Sequence, residues 1–204
     1  MEQKPAMSKL AERLWRVSER KPIQPDVIVP LSYAMLPNAL AFGTTQGIHA
    51  AYGWATQFPS AVVAFGNPSH CFPGSEIAEE REKMQLLQTL GLPEERIISG
   101  GPIQNTVTEL RAVAAALKQR GIQPLEVLLV IESLHSRGGL YIAQRVFPGA
   151  RISLKYSHAT VWQPDHPFFF QQSRRNWFMA NILRQVALRI LGIDQAAKVK
   201  HRPR

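Results

Sequence analysis

Glu126-Val127-Leu128-Leu129-Val130-Ile131 runs straight into Glu132-Ser133-Leu134-His135-Ser136-Arg137. The first half is apolar after its opening Glu and rich in β-branched residues, and it is too short for a buried helix. A continuous apolar run of this length, without polar alternation, predicts a parallel strand covered on both faces. The second half is abruptly polar. Such a switch at the end of a buried strand is where open parallel sheets place their ligand sites.

Working outward, the same pattern recurs. Residues 26–31 (DVIVPL) predict a first strand, residues 60–65 (SAVVAF) a second, residues 96–99 a short third and residues 151–154 a fifth. Helical spacing fills the gaps. Residues 46–58 form a weak candidate, interrupted by Gly47 and Gly53. Residues 76–90 carry Ile77, Met84, Leu87 and Leu90 on one stripe and stop at Gly91 and Pro93. Residues 106–120 place Leu110, Val113, Ala114 and Leu117 on one face, with Gly121 just beyond. Residues 140–147 and 177–191 complete the series. Strict strand–helix alternation predicts an α/β, Rossmann-like three-layer sandwich: a mostly parallel sheet of about five strands with helices on both faces. The domain plan is an amphipathic N-terminal extension (1–22), one Rossmann-like domain (23–192) and a basic flexible tail (193–204).

The 204 residues carry 24 Lys+Arg against 15 Asp+Glu, a net charge of +9. That balance invites a nucleic-acid or membrane-surface partner, but its distribution argues otherwise. Residues 1–22 hold six basic and three acidic side chains, residues 23–170 ten and eleven, and residues 171–204 eight and one. The body is near neutral, so a nucleic-acid partner is not expected. The single Cys71 leaves no internal disulfide and no multi-Cys zinc site. His49, His70, His135, His158 and His166 lack metal-ligand spacing. With no signal-peptide pattern and no membrane span, the expected location is the cytoplasm.

Residues just beyond the strand ends are the candidate site: Ser32, Asn67, Ser75, Glu76, Asn105, Thr106, Ser133, His135 and Arg137. Arg137 suits bidentate binding of a phosphate or carboxylate, and His135 suits acid–base work on the same group. Each also has a plainer reading, His135 as a helix cap and Arg137 on a solvated face. Thr106-x-x-Glu109 has the form of a capping box, which leaves Asn105 to face the pocket. Ser75 and Glu76 suit either capping or ligand contact, the carboxylate of Glu76 being a second acid–base candidate. His70-Cys71 sets a base beside a thiol, though a lone Cys is more often a small buried hydrophobe. The aromatic segment Trp162, Phe168, Phe169, Phe170, Trp177 and Phe178 could stack a purine, pack into the core or form a homodimer surface.

Four segments in order resemble the YdcF-like family, which includes the SanA and ElyC groups. They are the Asp26–Val29 strand; Gly74-Ser75-Glu76 with Met84 and Gly91-Leu92-Pro93-Glu94-Glu95-Arg96-Ile97; Asn105-Thr106-x-x-Glu109; and Leu128-Leu129-Val130 followed by Ser133-x-His135-Ser136-Arg137. Where the family's pattern has a second Arg, this chain has Gly138, and the loop after the second strand reads Phe65-Gly66-Asn67-Pro68. The resemblance implies a Rossmann-like fold that binds a small anionic or nucleotide-like ligand. S-adenosylmethionine is the candidate cofactor, and group transfer or hydrolysis the candidate chemistry, with a tie to envelope metabolism. A non-catalytic binding or regulatory module of the same fold, and a nucleic-acid or membrane-surface binder acting through the basic ends, are the alternatives.

Overall fold

The structure, a computed structural model, describes residues 6–32, 35–36, 39–68, 79–157, 162, 164–166 and 168–198. Helix α1 (Ala6–Trp15) precedes strand β1 (Val27–Pro30), a small antiparallel hairpin of β2 (Met35–Leu36) and β3 (Ala39–Leu40), and helix α2 (Phe42–Gln57). Then come β4 (Val62–Pro68), α3 (Glu79–Thr89), β5 (Ile97–Ile103), α4 (Thr106–Gln119), β6 (Glu126–Ile131), α5 (Ser136–Val146), β7 (Arg151–Tyr156) and α6 (Arg174–Ala196).

Five strands form one parallel sheet in the order β5-β4-β1-β6-β7. The alternation of side chains along each strand sorts the core into two layers. Val27, Val29, Val127, Leu129 and Ile131 pack under α4, α5 and Leu188 of α6. Ile28, Val63, Phe65, Leu128 and Val130 pack under α2 and α3, against Ile48, Ala51 and Leu87. Both faces of β6 are therefore covered, as its unbroken apolar run requires. Fully burying each such side chain contributes about 1.5–3 kcal/mol. The α/β three-layer sandwich expected from the alternation is the observed fold.

The chain moves from β1 outward to β4 and β5, then crosses back to β6 and β7, so the strand order reverses between β1 and β6. Loops leave the two strands toward opposite faces at such a point and open a crevice at the carboxyl edge.

Several boundaries differ from expectation, α2 starting at Phe42 and β5 running on to Ile103 among them, and two have a clear tertiary cause. Helix α5 starts at Ser136 rather than residue 140. Gly138 and Gly139 weaken the helical signal there, yet both are buried, and a methyl group on Gly139 would run into Cδ1 of Ile131. Helix α6 begins at Arg174, with Oγ of Ser173 accepting from the Asn176 N–H at 3.1 Å, and remains helical to Ala196 instead of giving way to a tail at 193. Gly192, at φ 75°, interrupts its geometry. Tertiary contacts hold the far end: Asp194 pairs with Arg111, and Nδ2 of Asn105 donates to the carbonyls of Ala196 and Ala197.

Candidate functional site

The polar groups converge on the start of α4, at the carboxyl edge of the sheet. The backbone there is set by Asn105. Its Oδ1 accepts from the N–H groups of Val107 and Thr108 at 3.0 and 3.1 Å, and the Thr108 hydroxyl accepts from the Asn105 N–H at 2.9 Å. The capping box is therefore Asn105 with Thr108, one residue earlier than the expected Thr106–Glu109 pair. The shift frees both Thr106 and Glu109 for other partners. Asn105 itself is spent on the cap and on the end of α6 rather than facing a pocket.

Glu109 turns inward and is buried. Its Oε1 accepts from the backbone N–H and the hydroxyl of Ser32, at 3.1 and 2.7 Å. Nζ of Lys83 donates to the same hydroxyl at 2.5 Å and to the Gly66 carbonyl at 3.0 Å, and stands 5.2 Å from the centre of the Phe65 ring. Glu79, one helical turn before Lys83, completes the group with Oε1 2.5 Å from Nζ. Neither Glu79 oxygen has an aligned hydrogen bond among the described residues, so this is an ionic contact. Gly66 allows the assembly to close: a Cβ there would come within 2.7 Å of Ile103 and 3.0 Å of Cγ of Glu109.

Burial raises Glu109 from the usual 4.5 to about 7, with the nearby Lys83 charge and the Ser32 hydrogen bonds opposing the rise. A carboxyl group at about 7 exchanges its proton readily near neutral pH, which suits a general acid or base.

On the other side of α4 stands His135, also buried. Its Nε2 lies 3.0 Å from the Thr106 hydroxyl and its Nδ1 2.6 Å from Oδ1 of Asn181. Asn181 donates through Nδ2 to the Trp177 carbonyl at 2.8 Å, which turns Oδ1 toward the imidazole. That arrangement selects the tautomer with the proton on Nδ1, leaving Nε2 to accept from Thr106. Arg184 comes within 3.3 Å of the same Nδ1, and its guanidinium lies 5.9 Å from the Trp177 ring. Burial lowers Arg184 to about 10, with no carboxylate among the described residues to offset the shift. By its surface exposure the side chain is only partly buried, so part of it remains accessible.

Glu132 holds the turn that carries His135. Its Oε2 accepts from the N–H groups of Leu134 and His135 at 2.8 and 3.1 Å and from the Trp177 indole at 2.6 Å, and its Oε1 accepts from the Ser133 hydroxyl at 2.8 Å.

The structure thus brings Ser32, Thr106 and His135 around the start of α4. Ser133 belongs to the supporting turn. Asn67 lies toward β5, where Nδ2 donates to Ser99 at 2.5 Å and Ser99 donates to Glu80. Its Oδ1 is buried with no hydrogen-bond partner among the described residues. Arg137 is elsewhere. It donates to the carbonyls of Trp15 and Leu14 at 2.9 and 3.2 Å and lies over the Trp15 ring, so it fastens α1 and does not reach the strand ends as an anion clamp. Arg184, by contrast, lies beside His135. His70, Cys71, Ser75 and Glu76 lie outside the described residues. Most of the aromatic segment packs together: Phe168 and Trp177 are buried, Trp162, Phe170 and Phe178 lie against Trp177 and Leu134, and Phe169 is exposed.

Lys83, Glu79, Glu109, Asn181 and Arg184 are the site residues that sequence reasoning did not find. Glu79 and Lys83, four apart on a helix, look like an ordinary solvated pair. Glu109 was masked by its fit to a capping box. Asn181 and Arg184 sit in a long basic helix with nothing local to mark them.

Among the described residues no group of three or more His, Cys, Asp or Glu side chains is placed to hold a metal ion. No protein-family model, curated protein or solved structure matches this chain.

Proposed function

We propose that this protein is a YdcF-like member of the Rossmann-like proteins that binds a small phosphate- or carboxylate-bearing ligand, nucleotide-like in size, at the carboxyl edge of its sheet. The observation that carries the reading is geometric: the partly buried Arg184 guanidinium lies 3.3 Å from His135, which is itself 3.0 Å from the Thr106 hydroxyl at the start of α4, and no carboxylate pairs with Arg184 among the described residues. An anion seated there would neutralise Arg184 and meet the positive end of the α4 dipole. Thr106 and His135 would hydrogen-bond it. Glu109, near 7 and linked through the Ser32 hydroxyl to Lys83, is the group suited to proton transfer in a group-transfer or hydrolytic reaction. The four sequence segments shared with the YdcF-like family add S-adenosylmethionine to the ligands to be tried.

The test is a thermal-shift series with inorganic phosphate, nucleotides, sugar nucleotides, polyprenyl phosphates and S-adenosylmethionine. A ligand at about 100 times its Kd should stabilise the fold by about 2.7 kcal/mol. Arg184→Gln should abolish that shift. Absence of stabilisation by every compound, or an equal shift in the variant, would overturn the proposal.

A further inference from the structure

Helices α1 and α6 each bury polar side chains while exposing apolar ones, although α6 also buries Trp177 and Leu188. In α1, Glu12 is buried and pairs with Arg174, whereas Leu10 and Leu14 are 58% and 71% exposed. In α6, Asn181 and Gln185 are buried, whereas Met179, Leu183, Val186 and Ile190 are 48%, 65%, 49% and 75% exposed. The spacing of those four residues, 4-3-4, makes a continuous apolar stripe along the helix. The two helices are clamped together by Arg174 on Glu12, at 2.6 Å, and by the edge-to-face contact of Trp15 with Phe178. With several polar residues turned to the interior, the outward faces combine an apolar stripe with exposed arginines such as Arg13, Arg175 and Arg189. An exposed patch of this kind marks an interaction surface.

Charge selects the partner. Residues 171–204 hold eight basic side chains and one acidic, and the acidic one, Asp194, is already paired with Arg111. Residues 1–22 hold six basic and three acidic, of which Glu12 and Glu19 are engaged by Arg174 and Lys155. Arg13 and Arg175 are exposed beside the leucines. Packing a second copy against this face would oppose like charges, whereas an anionic lipid surface would neutralise them and accept the leucines. No helix among the described residues is long and apolar enough to cross a membrane. We propose that α1 and α6 together form a peripheral docking face for an anionic phospholipid surface, lying in its plane with the leucines in the headgroup–acyl boundary. Asn181 and Arg184 of the ligand site lie on α6 too, but neither belongs to its exposed apolar stripe.

The experiment is co-sedimentation of the full chain with vesicles of phosphatidylglycerol and phosphatidylcholine, against pure phosphatidylcholine. Wild type should bind the anionic vesicles and lose binding as salt is raised. Leu183→Glu with Ile190→Glu should weaken partition by about tenfold or more without lowering Tm, since both side chains already face solvent. Arg13→Gln with Arg175→Gln, which leaves the apolar stripe intact, should weaken it by about 25-fold, at about fivefold for each charge removed. Failure to bind anionic vesicles, or unaltered binding by both double variants, would overturn the proposal. So would a dimer in sedimentation velocity that Leu183→Glu with Ile190→Glu converts to monomer, which would assign the face to a second copy.

Discussion

Oε1 of Glu109 accepts both the backbone N–H and the hydroxyl of Ser32, joining the first turn of α4 to the residues that leave β1 across 77 positions of sequence. The carboxyl group is buried, so its proton is favoured in the folded protein. Folding therefore binds a proton between the ordinary value of 4.5 and about 7. The stabilisation is fully present below 4.5 and is lost as pH rises through 7, amounting at most to about 3 kcal/mol. Urea denaturation of wild type and Glu109→Gln at pH 5 and pH 8 measures it. The variant, which keeps an acceptor for Ser32, should lose that part of the pH dependence. An identical pH slope in both proteins would contradict the burial argument.

Lys83 and Glu79 form a fully buried pair. Lys83→Met leaves the Glu79 carboxylate without its counter-charge and should cost about 3–5 kcal/mol. Pairing it with Glu79→Leu removes the orphaned charge, and the double variant should recover most of the loss. The comparison is made by chemical denaturation of the two single variants and the double. A double variant no more stable than Lys83→Met alone would contradict the orphaned-charge argument.

Arg137 acts on α1. Arg137→Ala removes its hydrogen bonds to the carbonyls of Leu14 and Trp15 and its contact with the Trp15 ring. The expected loss is about 1–3 kcal/mol, with faster limited proteolysis between α1 and β1. Affinity for whatever ligand binds at Arg184 should be unaltered. A variant with intact α1 protection but lost ligand binding would return Arg137 to the site.

Gly139 lets α5 lie directly on the end of β6. Gly139→Ala would press its methyl group into Cδ1 of Ile131 and should destabilise by about 1–3 kcal/mol. Ile131→Val removes that carbon and should rescue part of the loss in the double variant. Additive losses would show that the clash is relieved some other way.

How much of this was legible beforehand differs from one element to the next. The strand predicted at 126–131 is the observed β6, because an apolar run buried on both faces is written residue by residue in the chain. The start of α5 was not legible, because two glycines weaken a helix locally and one of them, Gly139, is required by its packing. Ser32, Thr106 and His135 could be singled out because they directly follow strands or start a helix, and strand ends are ligand positions in any open parallel sheet. Arg137 was singled out for the same reason, yet its side chain turns away toward α1.

The sequence by itself determined the alternation of buried strands and amphipathic helices, hence the parallel sheet and the edge where chemistry would gather. Hydrophobic periodicity is local, and five strands buried on both faces leave few other arrangements. Only the tertiary structure decided which polar groups meet. Arg184 reaches His135 across 49 positions. Glu109 leaves a capping role to Asn105 and turns to Ser32. Lys83 and Glu79 are interior rather than solvated. A charged residue's burial and partner depend on which helix crosses which strand end, and no local pattern encodes that.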